Sequence, residues 1–422
     1  MRVSTIRRLI RERKQELVEL TARLVQVPTE NPRADLEERS AEVGSLIKEY
    51  LVDKGLQVTE YVGVAGLTSV VADVSLSDVP GPRLLYGGHT DVVPAGDRER
   101  WSFEPYSGDI QNGKILGRVA SDMKGGLAAQ VFVAGLLQEM APSLNLKGSL
   151  SVFAVPDEES GGDNTEMLLE QGILHGDACL LGEPTLPHHP VIGEKGGAWM
   201  RVTVHGEPGH ARLQPIAGGS AVRLGAQVVE ALDQLWEMQA QPPAELTKLL
   251  HQSEYTTWQE GAPEYAQLLY RPSYNPGVIR GGTNVNSVAE ECVIEVDSRI
   301  PYGMTAEEVL SRTREIVETI APGAIIEPFG IFGDPNWTRE DRPVVKALEE
   351  GIEQVLGTEE PTFSVLMIGS SDARYFRKHG IDTALYGPGE LDTIHGYDES
   401  VAIADLVNAA EVYAETAIAF LR

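Results

Sequence analysis

Short apolar runs that stop at a histidine or an acid recur along this chain, and they constrain its fold more than any other feature. The clearest is LLYGGHTDVVP, Leu84–Pro94. Leu84, Leu85 and Tyr86 read as the end of a buried strand, punctuated by Gly87-Gly88. His89 and Asp91 follow, two residues apart, so in extended backbone an imidazole and a carboxylate project together just past the strand end. Four further places repeat the theme. Asp122 stands in GRVASDMKGG before a helical run, and Glu158-Glu159 in VPDEESGG follow the strand SVFAV. Glu183 in LLGEPT follows ACLL, and His395 in DTIHGYDES lies past a strand ending at Tyr386. Ligands in open α/β sheets collect outside the carboxyl ends of the strands, so these positions are expected to converge.

Each position has a plainer use. Asp122 could cap its helix, Glu158-Glu159 could be a solvated turn, Glu183 a loop acid and His395 a helix-entry residue. Five acids or histidines at strand ends beside glycines exceed what solvation alone explains.

The apolar segments alternate with helical ones. Strands are expected at Ser69–Val74, Arg83–Tyr86, Ser149–Val155, Ala178–Leu181, Phe363–Met367 and Thr383–Tyr386. Helices are expected at Thr5–Val25, Asp35–Lys54, Gly126–Met140, Asn164–Gln171, Pro343–Leu356, Ala373–His379 and Val401–Leu421. This is an α/β pattern with a mainly parallel sheet and helices on both faces, over residues 1–195 and 336–422. Residues 196–335 differ in character: strands at Trp199–Val204, Val278–Arg280 and Glu290–Arg299, a helix at Ser220–Met238, and a capped helix opening at Thr305. Two helices over a small antiparallel sheet make an inserted α+β, ferredoxin-like module. Gln241–Asn275, with Tyr255, Trp258, Tyr265, Tyr270 and Tyr274, is either an extra helical hairpin or a contact surface.

At 422 residues and 42% hydrophobic content, the chain can bury two sizeable cores. Its formal charge of −28 argues against nucleic acid or an anionic membrane as partner, and an anionic substrate would need a local cation. Cys179 and Cys292 sit in apolar runs, as buried thiols do, and the N-terminal stretch is too charged for a secretory signal. The expected location is cytoplasmic.

The donors suit two metals. Zinc takes imidazole nitrogen and carboxylate oxygen, and paired sites lie roughly 3.5–4 Å apart. Two divalent ions would be neutralised by Asp122, Glu159, Glu183 and a hydroxide, with His89 and His395 neutral. Glu158 is left over beside the site as a candidate general base.

The segments GGHTDVVP, GRVASDMKGG, DEESGG, GEPT and the late His395 resemble the dinuclear zinc amidohydrolases that include acetylornithine deacetylase, succinyl-diaminopimelate desuccinylase, aminoacylase and carboxypeptidase G. The resemblance covers nearly the whole chain. It implies that His89 and Glu183 bind one metal, Glu159 and His395 the other, and that Asp122 bridges them. It further implies that Asp91 orients His89, that Glu158 is the general base, and that the Asp122–Met123 peptide bond is cis. The metal implied is zinc, or cobalt. The inserted module would serve as lid and homodimer surface, with His210 of HGEPGHARLQP reaching across the dimer to the oxyanion. Asn286, Arg299, Ser370 and Gly389 match positions that hold substrate in relatives, although Arg299 could instead pair with Asp297. The substrate implied is an N-acyl amino acid or a related carboxylate-bearing amide, with a dipeptidase or carboxypeptidase reaction as the alternative and a catalytically inactive relative as the remote one. Two positions depart from the pattern. Val119 stands where glycine is usual, and Leu391 stands where succinyl-diaminopimelate desuccinylases carry a substrate-contacting asparagine.

Overall fold

Leu84, Leu85 and Tyr86 do sit at the centre of a sheet, each wholly buried. The computed structural model describes residues 4–77, 79–216, 219–259 and 263–422, with backbone alone at 257–259. These form two compact units, Met1–Ile192 with Trp337–Ser364 and Ser371–Arg422, and Gly193–Asn336 with Val365–Ser370. The boundaries expected from sequence, 195/196 and 335/336, lie close to these, and the short return of the chain at Val365–Ser370 has no local signal.

The large sheet of the first unit includes β1 (Gln57–Val62), β2 (Thr68–Val74), β3 (Arg83–His89), β4 (Ser149–Val155), β5 (Ala178–Leu181) and β6 (Asp382–Leu385). They lie side by side in the order β1-β2-β4-β3-β5-β6. The four inner strands β4, β3, β5 and β6 run parallel. Pairing is antiparallel for β1 with β2 and for β2 with β4. "Mainly parallel" therefore becomes a mixed sheet with a parallel centre. That centre is what matters for the site, because β3, β4 and β5 all point their carboxyl ends the same way.

The helix Lys124–Leu144 explains why the centre is so apolar. It is buried along most of its length, between the sheet and the helices Lys14–Val25 and Ile403–Phe420. It is also long and apolar enough to cross a membrane, a property that core helices share. Helices Asp163–Glu170 and Ala373–Lys378 pack together separately, and the Phe376 ring lies 5.4 Å from that of Phe153 on β4.

Three boundaries differ from the sequence reading. The first helix is two, Thr5–Glu12 and Lys14–Val25, broken at Arg13. Arg7 of the earlier piece is held by the buried Glu411 of the C-terminal helix at 2.7 Å. The last helix begins at Ile403, because Ser400–Ala402 pairs as a strand with Lys114–Leu116. The strand expected at Phe363–Met367 is reduced to Val365–Leu366.

The second unit is a four-stranded antiparallel sheet of Ser273–Gly281, Glu291–Ile300, Gly196–His205 and Ile325–Gly333, in that order. Alternate residues Met200, Val202, Val204, Cys292, Ile294 and Val296 form one core with helices Ala221–Ala231 and Ala306–Ile320. The second helix opens with the expected capping box, Thr305 with Glu308. Within 241–275, helix Thr247–Gln259 packs on the helical turn Pro263–Leu269, with Tyr270 Oη donating to Glu254 at 2.6 Å. The Trp258 side chain lies outside the described residues.

Candidate metal centre

β3 ends on His89, whose ring is 1% exposed. Its Nδ1 meets the main-chain carbonyl of Asp91 at 2.9 Å. A carbonyl can only accept, so Nδ1 carries a proton and Nε2 is the ring nitrogen that would face a cation. That Nε2 lies 3.2 Å from Asp122 Oδ1 and 3.7 Å from Glu183 Oε1. Across the site, His395 Nε2 lies 3.2 Å from Asp122 Oδ2 and 3.0 Å from Glu159 Oε1. Two three-donor groups result, His89–Asp122–Glu183 and Asp122–Glu159–His395, each with its donor atoms within 4.8 Å of one another. They share Asp122, one oxygen each. Donors about 2.0–2.2 Å from a tetrahedral ion lie roughly 3.3–3.6 Å apart, so the spacing and the nitrogen-oxygen donor set fit two zinc-like ions.

Asp122 does not cap its helix; the residue at that place is Met123, with no side-chain cap. The Asp122–Met123 bond is cis, as the resemblance implies. The segment is fixed from behind by Glu399, whose Oε1 accepts the amides of Ser121 at 3.0 Å and Asp122 at 3.1 Å. Its Oε2 accepts Arg118 Nη1 at 2.8 Å, and Arg118 Nη2 donates to the Gly396 carbonyl at 2.6 Å, next to His395. One buried ion pair thus ties the shared ligand to the loop that presents His395. Val119, in the same segment, has φ +77, the region that favours glycine. For a β-branched residue this costs about 1–2 kcal/mol, which the full burial of its side chain, worth about 1.5–3 kcal/mol, offsets.

Asp91 has a second role that its sequence position did not disclose. Its carboxylate lies 3.7 Å from the His89 ring, and its oxygens accept the amides of Glu158 at 3.0 Å and Glu159 at 3.2 Å. Asn31 Nδ2 adds a third donor at 2.9 Å. Burial pushes Asp91 up to about 7, with the His89 charge opposing.

Charge is crowded in this space. Burial pushes Glu183 and Glu158 well above the usual carboxylate range, and His89 opposes it in both. Burial would raise Asp122 also, but hydrogen bonds from His395 and His89 outweigh it and hold that carboxyl low. The bond that His395 donates to Asp122, with one to Glu159, raises His395 to about 10. A cluster of carboxylates with two imidazoles at this depth calls for positive charge, which divalent ions supply.

Of the remaining expected residues, four belong to the second unit and one to the first. His210 and Asn286 are exposed in the second unit on a small ribbon, where His210 pairs with Ser287 and Ala211 N donates to the Asn286 carbonyl at 3.0 Å. Arg299 is engaged by Asp297 at 3.0 Å. Ser370 ends the short return Val365–Ser370. Gly389 is in the first unit, packed so closely that a Cβ would lie 2.9 Å from those of Ser121 and Pro184. Reasoning from sequence missed Asn31, Arg118 and Glu399. Charged residues inside polar motifs look like solvated loop residues; Glu399's place four residues after His395 was the one available signal.

The sequence profile of peptidase family M20/M25/M40 matches residues 85–419. A succinyl-diaminopimelate desuccinylase of Alkalilimnicola ehrlichii is 29% identical over 341 residues, 79% of this chain and 82% of the relative. Among solved structures, the M20 family metallo-carboxypeptidase of Sulfolobus solfataricus superposes with TM-score 0.78 at 19% identity, over 96% of this chain and 99% of that one. The dipeptidase Dug1p of Saccharomyces cerevisiae gives TM-score 0.78 at 15% identity over 98% of both chains. With its profile match spanning most of the sequence, this chain belongs to peptidase family M20/M25/M40 and is a metal-dependent hydrolase of amide bonds.

Proposed function

We propose that the chain removes the acyl group from an N-acyl amino acid or a related carboxylate-bearing amide, using two zinc ions, with cobalt as an alternative. The observation that carries this is the pair of donor groups sharing the two oxygens of Asp122. His89 and Glu183 would hold one ion, Glu159 and His395 the other. When bound, the ions polarise the scissile carbonyl and lower the pKa of water. Glu158, half-buried and in the field of His89, Glu159 and Glu183, takes a proton from the attacking water at its carboxylate and delivers it to the departing amine nitrogen. Asp91 holds both glutamates by their amides, and its own carbonyl sets the His89 tautomer.

Leu391, on the turn Leu391–Thr393 just before His395, cannot hydrogen-bond a polar substrate as an asparagine would, which turns the reading away from succinyl-diaminopimelate itself. A dipeptidase or carboxypeptidase reaction is the second reading, supported by the likeness of fold. The active form in this proposal is a cytoplasmic homodimer in which His210 of one chain serves the site of the other; two buried, unpaired cysteines agree with a reducing compartment. Asn286, Arg299, Ser370 and Gly389 are the proposed substrate-binding positions, and Arg299 would have to leave Asp297 to act. Hydrolysis of N-formyl, N-acetyl and N-succinyl amino acids and of dipeptides, with zinc or cobalt added, tests the reading. Turnover of one class, lost in Glu158→Gln, supports it; turnover unaffected by chelation overturns it.

A further inference from the structure

The turn that carries Glu158 and Glu159 is gripped at both ends. Asp91 holds its leading amides. At the trailing end, the Gly161 carbonyl accepts Arg374 Nη2 at 2.6 Å and Tyr375 Oη at 2.5 Å, filling both of its lone pairs. Arg374 is itself anchored, since Nη1 donates to the Ser371 carbonyl at 2.6 Å and the guanidinium lies 4.4 Å from the Tyr375 ring centre. The approach is close. At Gly162, where φ is +77, a Cβ would lie 2.1 Å from Asp372 Oδ1 and 2.8 Å from Tyr375 Cε2. Thr165, just beyond, donates its hydroxyl to Asp372. Within the turn, Gly161 N donates to the Glu158 carbonyl at 3.1 Å and Gly162 N to that of Asp157 at 2.8 Å. Fixing the Gly161 peptide therefore fixes the backbone of Glu158.

Two adjacent glutamates with different tasks need such a device. A metal ligand is aimed by its ion, but among the described residues Glu158 belongs to neither donor group, so the placing of its backbone matters more. We propose that Arg374 and Tyr375 are positioning residues for Glu158, acting through the Gly161 carbonyl and touching neither substrate nor metal. The proposal rests on the reading of Glu158 as the proton-transferring group.

The test uses the full-length, metal-loaded enzyme and whichever substrate of the panel above turns over fastest. Arg374→Met, Arg374→Lys and Tyr375→Phe are made alone and in the Glu158→Gln background. A misaimed catalytic group costs up to about 10²-fold, so Arg374→Met should lower kcat on the order of 10- to 10²-fold, with KM and metal content unchanged. Tyr375→Phe should cost less, and Arg374→Lys should recover part of the loss. In the Glu158→Gln background neither should cause a further loss. Hydrogen exchange across residues 158–162 of the metal-free protein, which needs no substrate, should quicken in Arg374→Met and in Tyr375→Phe. Unchanged exchange, unchanged kcat, loss of a metal, or an equal loss in both backgrounds would each overturn the proposal. Wild-type turnover in Glu158→Gln would instead sink the assignment of Glu158, and the exchange result would still decide whether the clamp exists.

Discussion

The carboxylate of Asp91 accepts the amide of Glu158 at 3.0 Å, although the two residues lie 67 apart in sequence. The contact follows from strand order. β3 and β4 are parallel neighbours with His89 opposite Val155, so the chain leaving each strand emerges at the same level. An acid two residues past one strand end then meets the free amides of the turn past the other.

Asp91→Asn separates the two roles of this residue. The main-chain carbonyl that meets His89 Nδ1 is untouched, whereas a carboxylate oxygen facing an amide becomes an NH₂ group. A buried donor left facing a donor costs about 1–3 kcal/mol. Metal analysis should show the Glu159–His395 ion lost or loosened and the other retained, with kcat at least tenfold lower. Two tightly held ions with full activity would return Asp91 to a role at His89 alone.

The adjacent glutamates should divide cleanly. Glu158→Ala is expected to keep both metals while kcat falls by a factor on the order of 10² or more. Glu159→Ala should lose one ion. The opposite pattern would reverse their roles.

Glu399→Gln leaves the buried Arg118 guanidinium without its anion, a change that typically costs about 3–5 kcal/mol. Denaturant unfolding of the metal-free variant should show a loss of this order. Metal affinity should weaken at both positions, because Glu399 supports Asp122 and, through Arg118, the His395 loop. An unchanged unfolding midpoint would count against the pair.

Lys195 gives a pH test in the second unit. Its Nζ donates to the carbonyls of Leu268 at 2.8 Å and Arg271 at 2.9 Å, and burial lowers it to about 7. Between about 7 and the ordinary lysine range the unfolded chain holds this proton and the folded chain does not, so stability rises with pH across that window. The difference in Tm between wild type and Lys195→Met should therefore move in favour of wild type from pH 7 to pH 10. A difference that stays flat would mean that Lys195 remains charged when folded.

The proposed sharing of His210 between subunits is tested by mixing. His210→Ala and Glu158→Ala homodimers should each be nearly inactive, since one oxyanion donor typically supplies about 10²–10³ in rate. Heterodimers should regain activity from the one site that has both residues. Demonstrated heterodimers with no recovery would confine His210 to its own chain or remove it from the reaction.

By itself the sequence determined the strand ends. An apolar run closed by glycine and then a histidine or acid is a local signal: the parallel strands β3, β4 and β5 deliver His89, Glu159 and Glu183 to one edge of the sheet, where Asp122, ahead of helix Lys124–Leu144, and His395, on the loop after β6, join them. It also determined the alternating core of the second unit, where Cys292, Ile294 and Val296 face inward. Tertiary structure decided what holds these residues. Glu399, Arg118 and Arg374 carry no local sign of burial; each is buried, or partly so, only because a partner far along the chain satisfies its charge or hydrogen bonds. The same physics moved a boundary. The helical pattern begins before Ile403, and a long-range partner, Lys114–Leu116 pairing with Ser400–Ala402, delayed the helix. Local pattern fixes which residues can be buried, and only the packed chain fixes what they meet there.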